Sequence, residues 1–146
     1  MKQSRIIQGL MRVDRLDDDQ LYDLIRFDLD RGITFFDLAD IYVGGEAERK
    51  LGRILSAHPE LRDKMFIQSK VSIRRGELHS FYDLSKEHIL EGVDGILNRL
   101  GIKKLDSLLL HRPDIFMDGK EINEALISYT KRARSRISGY RISLKG

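Results

Sequence analysis

Short apolar runs, each closed by glycine or a polar residue and each followed by a stretch of helical periodicity, recur along this chain and leave few folds open to it. Ser4 to Gly9 holds Ile6-Ile7 ahead of its glycine and predicts a first strand. Asp17 to Arg31 carries Leu21, Leu24, Ile25 and Leu29 at helical spacing, with Asp17-Asp18-Asp19 suited to the helix start and Gly32 to its end. Ile33-Thr34-Phe35-Phe36 predicts a second strand, Glu46 to Ala57 a second helix and Met65-Phe66-Ile67 a third strand. Ser85 caps a helix through Leu100, with Ile89, Val93, Ile96 and Leu100 on one face and Gly101 as terminator. Leu108-Leu109-Leu110 predicts a fourth strand, and Asp118 to Ile127 begins another helix. Continuous apolar strands alternating with helices argue for a parallel sheet covered by helices.

Two α/β architectures fit that alternation, an open doubly wound sheet and a TIM-type (β/α)8 barrel. The residues after the first strand, Gly9-Leu10-Met11-Arg12-Val13, do not form the glycine-rich G-x-G-x-x-G turn of the doubly wound dinucleotide folds, which favours the barrel. A complete barrel takes about 250 residues and eight strands. The 146 residues here supply four strands. The expectation is a truncated half barrel of about four parallel β/α units.

Composition narrows the function classes. Hydrophobic residues make up 41% and charged residues 34%, ordinary for one globular domain with its own core. There is no cysteine, so a disulfide framework and a thiolate metal site are excluded, and no metal site is predicted. Met1 to Val13 is interrupted by Lys2, Arg5 and Arg12, and reads as neither a signal peptide nor an anchor. No stretch approaches the roughly 18 apolar residues of a membrane span, so a soluble, cytoplasmic protein is expected. The net charge of +3 is uneven: six of the 26 Lys and Arg, and no acid, fall between Leu126 and Gly146, leaving 20 basic against 23 acidic residues before them. The chain therefore divides into a mildly acidic body, residues 1–125, and a basic tail, residues 126–146, expected to be disordered.

Three polar residues stand just past successive strands: Asp37 after the second, Lys70 after the third and His111 after the fourth. In a β/α barrel that rim is where active sites are assembled. Singly, each reads as an ordinary loop residue; three in register do not. Tyr42 follows Asp37 by five residues, and a lysine beside a tyrosine favours the phenolate and makes the phenol a usable acid. Asp37 could hold the lysine charged and oriented, and His111 could donate to a carbonyl oxygen as negative charge develops there. Such a set suits protonation of an alkoxide while hydride reaches carbon. No side chain supplies hydride, so a nicotinamide cofactor is implied. Arg74 and Arg75 read as solvated loop charges.

The stretches Asp37-Leu38-Ala39-Asp40-Ile41-Tyr42, Gln68-Ser69-Lys70 and Leu109-Leu110-His111-Arg112-Pro113 resemble the aldo-keto reductases in order and spacing. The likeness is to a bacterial branch of predicted oxidoreductases, which show segments like Ser4 to Arg12 and Ser85 to Glu91, and it covers roughly Ser4 to Ala125. The resemblance implies reduction of a small carbonyl substrate with NADP(H). It casts Tyr42 as general acid, Lys70 and Asp37 as the groups that tune it, and His111 as the group that orients the carbonyl. It places Gly9, Leu10, Met11 and Arg12 near the nicotinamide end of the cofactor. The branch commonly has histidine where this chain has Leu38, a change expected at the substrate mouth.

After Ala125 the likeness stops. From the third base of the Leu126 codon, the permitted codons allow Asp-Ile-Leu-His-Lys-Glu-Gly-Lys-Val. From Arg136 to Ser143 they allow Asp-Phe-Gly-Val-Ser-Asn-Phe, the continuation the family shows. A one-base deletion is therefore expected to have shifted the frame, and gene codons incompatible with those residues would sink that reading. A half barrel of this kind would lack the family's loops for the adenosine phosphate and pyrophosphate, leaving the reductase inactive or impaired. Its open edges would invite self-association. Two other readings stand beside the enzyme. A non-catalytic interaction module would bind its partner regardless of Tyr42→Phe, and a nucleic-acid binder would use the basic residues around Tyr129 and Tyr140.

Overall fold

The computed structural model describes residues 3–134 and the backbone of 141–142, with side chains described through Thr130. Strands β1 (Ile7–Gly9), β2 (Phe35–Asp37), β3 (Phe66–Val71) and β6 (Ser107–Leu110) are each followed by a helix: α1 (Asp18–Asp30), α2 (Glu46–Ala57), α3 (Lys86–Leu100) and α4 (Gly119–Arg134). A hairpin, β4 (Ile73–Arg75) and β5 (Ser80–Tyr82), is inserted between β3 and α3, and β7 is the pair Arg141–Ile142. The main sheet runs β1-β2-β3-β6-β7, every neighbouring pair parallel. This order never reverses, whereas a doubly wound sheet turns back at a switch point. The arc is that of a partial barrel, as the missing glycine-rich turn suggested.

Local chemistry explains the helix ends. Asp17 accepts from the Gln20 amide N–H while the Gln20 side chain accepts from Asp17 N, a reciprocal cap. Ser85 caps α3 through His88 N, and Gly101 closes it at φ 64°. Strand β3 alternates strictly, Ile67, Ser69 and Val71 buried and Phe66, Gln68 and Lys70 half-buried. The buried side meets the helices through Phe36, Leu38, Ile67 and Leu108, which pack on Ile25, Leu51, Ile89 and Ile96. The other side is the inner face of the arc. Where α2 crosses α3, a Cβ on Gly52 would lie 2.3 Å from the Arg99 carbonyl oxygen, so only glycine admits that approach.

The structure differs from the sequence expectations in three places. The boundary at residue 125 falls inside α4, because Ile122, Ala125, Leu126 and Tyr129 share one helical face and pack on the core. Residues 126–134, expected to be disordered, are helical; 135–140 and 143–146 lie outside the described residues. A fifth parallel strand, β7, sits beside β6 with Ser107 opposite Arg141, since ladder pairing is a backbone property that needs no apolar run. Arg74 and Arg75 are not loop charges: both lie on β4. Arg74 reaches Asp83 at 2.7 Å and Glu91 at 3.6 Å, and Arg75 donates to the Ile41 carbonyl at 3.2 Å, which ties the hairpin to α3 and to the β2 loop. Among the described residues no helix is long and apolar enough to cross a membrane.

Candidate active site

The backbone past β2 continues to pair with β3: Leu38 N donates to Gln68 O and Asp40 N to Lys70 O, at 2.9 and 3.1 Å. This carries the chain across the top of β3 before it turns at Tyr42. The turn is tight, with Val43, Gly44 and Gly45 in succession at φ 51°, 66° and 84°. For glycine that region is free; for the β-branched Val43 it is strained. The turn lowers the Tyr42 ring onto Lys70, whose Nζ lies 4.8 Å from the ring centroid.

Lys70 uses all three of its donors. Its Nζ donates to Asp37 Oδ2 at 2.7 Å, to the Leu38 carbonyl at 2.6 Å and to Tyr42 Oη at 3.0 Å. An ammonium can only donate, so the phenol oxygen accepts and its own O–H points elsewhere. The His111 ring stands edge-on to Tyr42, 6.0 Å between centroids and 82° between planes. Burial holds the imidazole below its ordinary pKa, with the charges of Lys70 and Arg112 adding to the effect against Asp37, so it is neutral at neutral pH. Its Nδ1 is buried with no hydrogen-bond partner among the described residues.

The structure thus gathers Asp37, Tyr42, Lys70 and His111 at one rim of the inner face. Gly9 to Arg12 is divided. Gly9 ends β1 with nothing within 4 Å of the position a Cβ would take, Met11 is 49% exposed and Arg12 is exposed. Leu10 is fully buried in the core, leaving only its backbone to meet a ligand. Leu38, expected at the substrate mouth, is also fully buried, because a residue next after an inward-facing one turns to the helix side. Its part in the site is the carbonyl that holds Lys70. Sequence reasoning missed Gln68 and Ser107 as site residues. Gln68 Nε2 donates to Asp37 Oδ1 at 2.7 Å and accepts at Oε1 from Ser107 Oγ at 2.9 Å. The signal available was the alternation of β3, which puts Gln68 on the same face as Lys70.

Along the inner face, from the strand starts up to this rim, runs a cavity of about 380 Å³, walled by Ile7, Phe35, Phe66 and Leu109, with Gln68, Lys70 and His111 among its polar groups. Ile7, Phe35 and Phe66 are opposite one another at the N-terminal ends of β1, β2 and β3, below the Asp37 row, in the space that inward-facing side chains fill when a barrel closes.

Comparison with known proteins gives the family and the fold. The model of the aldo/keto reductase family matches residues 5–133. The chain is 38% identical to the uncharacterized oxidoreductase YcsN of Bacillus subtilis, over 84% of this chain and 43% of that protein. It is 39% identical to a 6-dehydroglucose reductase of Agrobacterium fabrum, over 84% of this chain and 44% of that protein. Among solved structures, the holo form of the aldo-keto reductase AKR11C1 from Bacillus halodurans superposes with a TM-score of 0.80 at 27% identity, covering 98% of this chain and 47% of that one. The chain spans less than half the length of these relatives.

Proposed function

The chain belongs to the aldo/keto reductase family of oxidoreductases, and on that premise we propose that its rim is the proton-delivering part of a site reducing small carbonyls with NADP(H). The observation that carries this is the filled coordination of Lys70, which leaves the Tyr42 O–H as the proton available to a ligand. The nicotinamide, when bound, supplies the hydride. The open space at Gly9, at the rim end of β1, with the exposed Met11 and Arg12 after it, is where its ring end would be held. As carbon is reduced, the carbonyl oxygen gains negative charge and takes the Tyr42 proton, giving the alcohol. The ammonium of Lys70, 3.0 Å away, stabilises the phenolate left behind. A neutral His111 donates an N–H to the same oxygen and orients it. That one relative is a 6-dehydroglucose reductase supports a carbonyl as the substrate class.

The test is an NADPH titration of the purified chain followed by fluorescence, then addition of a generic aldehyde. Where NADPH binds and the chain turns over, Tyr42→Phe is expected to lower turnover by roughly 10²–10⁴ while binding is kept. Turnover unchanged in Tyr42→Phe, or no NADPH binding by the folded chain, would overturn the proposal.

A further inference from the structure

Gly9, Asp37, Gln68 and Ser107 stand opposite one another on β1, β2, β3 and β6 and form one row across the inner face. Three of the four are joined through their side chains, Ser107 Oγ to Gln68 Oε1 at 2.9 Å and Gln68 Nε2 to Asp37 Oδ1 at 2.7 Å. The direction of this chain is forced. A carboxylate accepts only, so the amide must turn its NH2 to Asp37 and its oxygen to Ser107, whose hydroxyl then donates. The second oxygen of Asp37 receives Lys70.

We infer that Gln68 and Ser107 are positioning residues for proton transfer: a lateral hydrogen-bond chain that fixes the plane of the Asp37 carboxylate and, through it, the direction of Lys70 toward Tyr42. The inference rests on the reading of Tyr42 as the acid. A carboxylate turns readily about its last torsion, so one contact to lysine does not set its plane. No side chain from the β1 side can help, because the neighbour there is Gly9 and the space beside it is open. The restraint has to come from β3, where Gln68 supplies it. Gln68 in turn needs its carbonyl held, and Ser107, 5% exposed on β6, does so. Three strands, β2, β3 and β6, are thereby joined at the group that aims the ammonium.

The full chain, carrying 15Nζ-lysine and 13Cζ-tyrosine labels, tests this without requiring turnover. In Gln68→Met, which keeps the length and removes the donor, the Lys70 and Tyr42 resonances at pH 7 are expected to move while the melting temperature stays close to the parent. Ser107→Ala should move them less in the same direction, and Ser107→Thr should restore them. In an Asp37→Asn background Gln68→Met should add nothing, because its effect passes through Asp37. Where the parent turns over, Gln68→Met should lower kcat by about tenfold with KM unchanged. Unmoved Lys70 and Tyr42 resonances in folded Gln68→Met, or an undiminished Gln68→Met effect in Asp37→Asn, overturns the inference even if Tyr42→Phe abolishes turnover. Moved resonances in a parent without turnover would uphold the chain of contacts and sink the reductase reading instead.

Discussion

Arg99 Nε donates to the Glu48 carboxylate at 2.7 Å, and that carboxylate is fully buried. Its other oxygen accepts from Ser69 Oγ, also at 2.7 Å, so a single ion joins α2, α3 and β3 directly behind Lys70. Removing the guanidinium leaves a buried charge without its counter-ion, which costs about 3–5 kcal/mol. Arg99→Met is therefore expected to lower the urea midpoint steeply, whereas Arg99→Lys should recover part of the loss. An Arg99→Met chain as stable as the parent would mean that the pair contributes nothing net.

Asp40 shares this region and gives it a pH dependence. Burial first, and then the charge of Glu48, push its carboxyl up to about 6, against the pull of Arg99. Because the folded value lies above the unfolded one, the neutral form is favoured by folding. Stability from this group is full below about pH 4 and is lost as pH rises to about 6, by up to roughly 2 kcal/mol after allowing for residual solvent access. Asp40→Asn should thus gain stability relative to the parent between pH 4 and 7, read from urea unfolding at each pH. A difference that stays flat over that range would rule this out.

How much of this could be read from the residues depended on what the core imposes. Phe36, Ile67 and Leu108 face the helices and are buried, so their strands announced themselves as apolar runs. Asp37, Lys70 and His111 were found because each interrupts or follows such a run. The β4–β5 hairpin stands on the rim with Phe81 and Tyr82 half exposed, and nothing in the core imprints a period on it. Arg74 looked like a loop charge because Asp83 and Glu91, its partners, are distant in sequence. Leu10 and Leu38 were assigned to the ligand because composition cannot say which way a side chain turns after a strand. Gln68 and Ser107 are 39 residues apart, and only the register of β3 on β6 brings them together.

His111 offers a direct check on the electrostatics of the rim. Burial is the main cause of its depressed titration and Lys70 the next. Lys70→Met should raise its NMR titration midpoint toward the ordinary histidine value without reaching it, because the burial remains. An unchanged midpoint would show that the ammonium does not influence the ring.

Val43 carries the strain of the turn after Tyr42, at φ 51°. Glycine has no penalty there, so Val43→Gly should relieve about 1 kcal/mol of strain, offset in part by the freedom glycine gains on unfolding. Thermal denaturation should show a small gain or no change. A clear loss would mean that the valine side chain, 42% exposed, is held by contacts that outweigh its backbone cost.

The sequential order of the parallel strands separates what this chain recognises from what makes it fold. Each β/α unit sends its own loop to the rim, and the additions seen there, the β4–β5 hairpin and the apolar segment Ile115-Phe116-Met117 with Phe116 88% exposed, extend outward without displacing a core residue. The Gly52 crossing lies in the helical layer, where its near neighbours are the backbone of Arg99 and Leu100. Such a chain can acquire new ligands by editing its rim one loop at a time, with the Gly52 crossing of the helices left as it is.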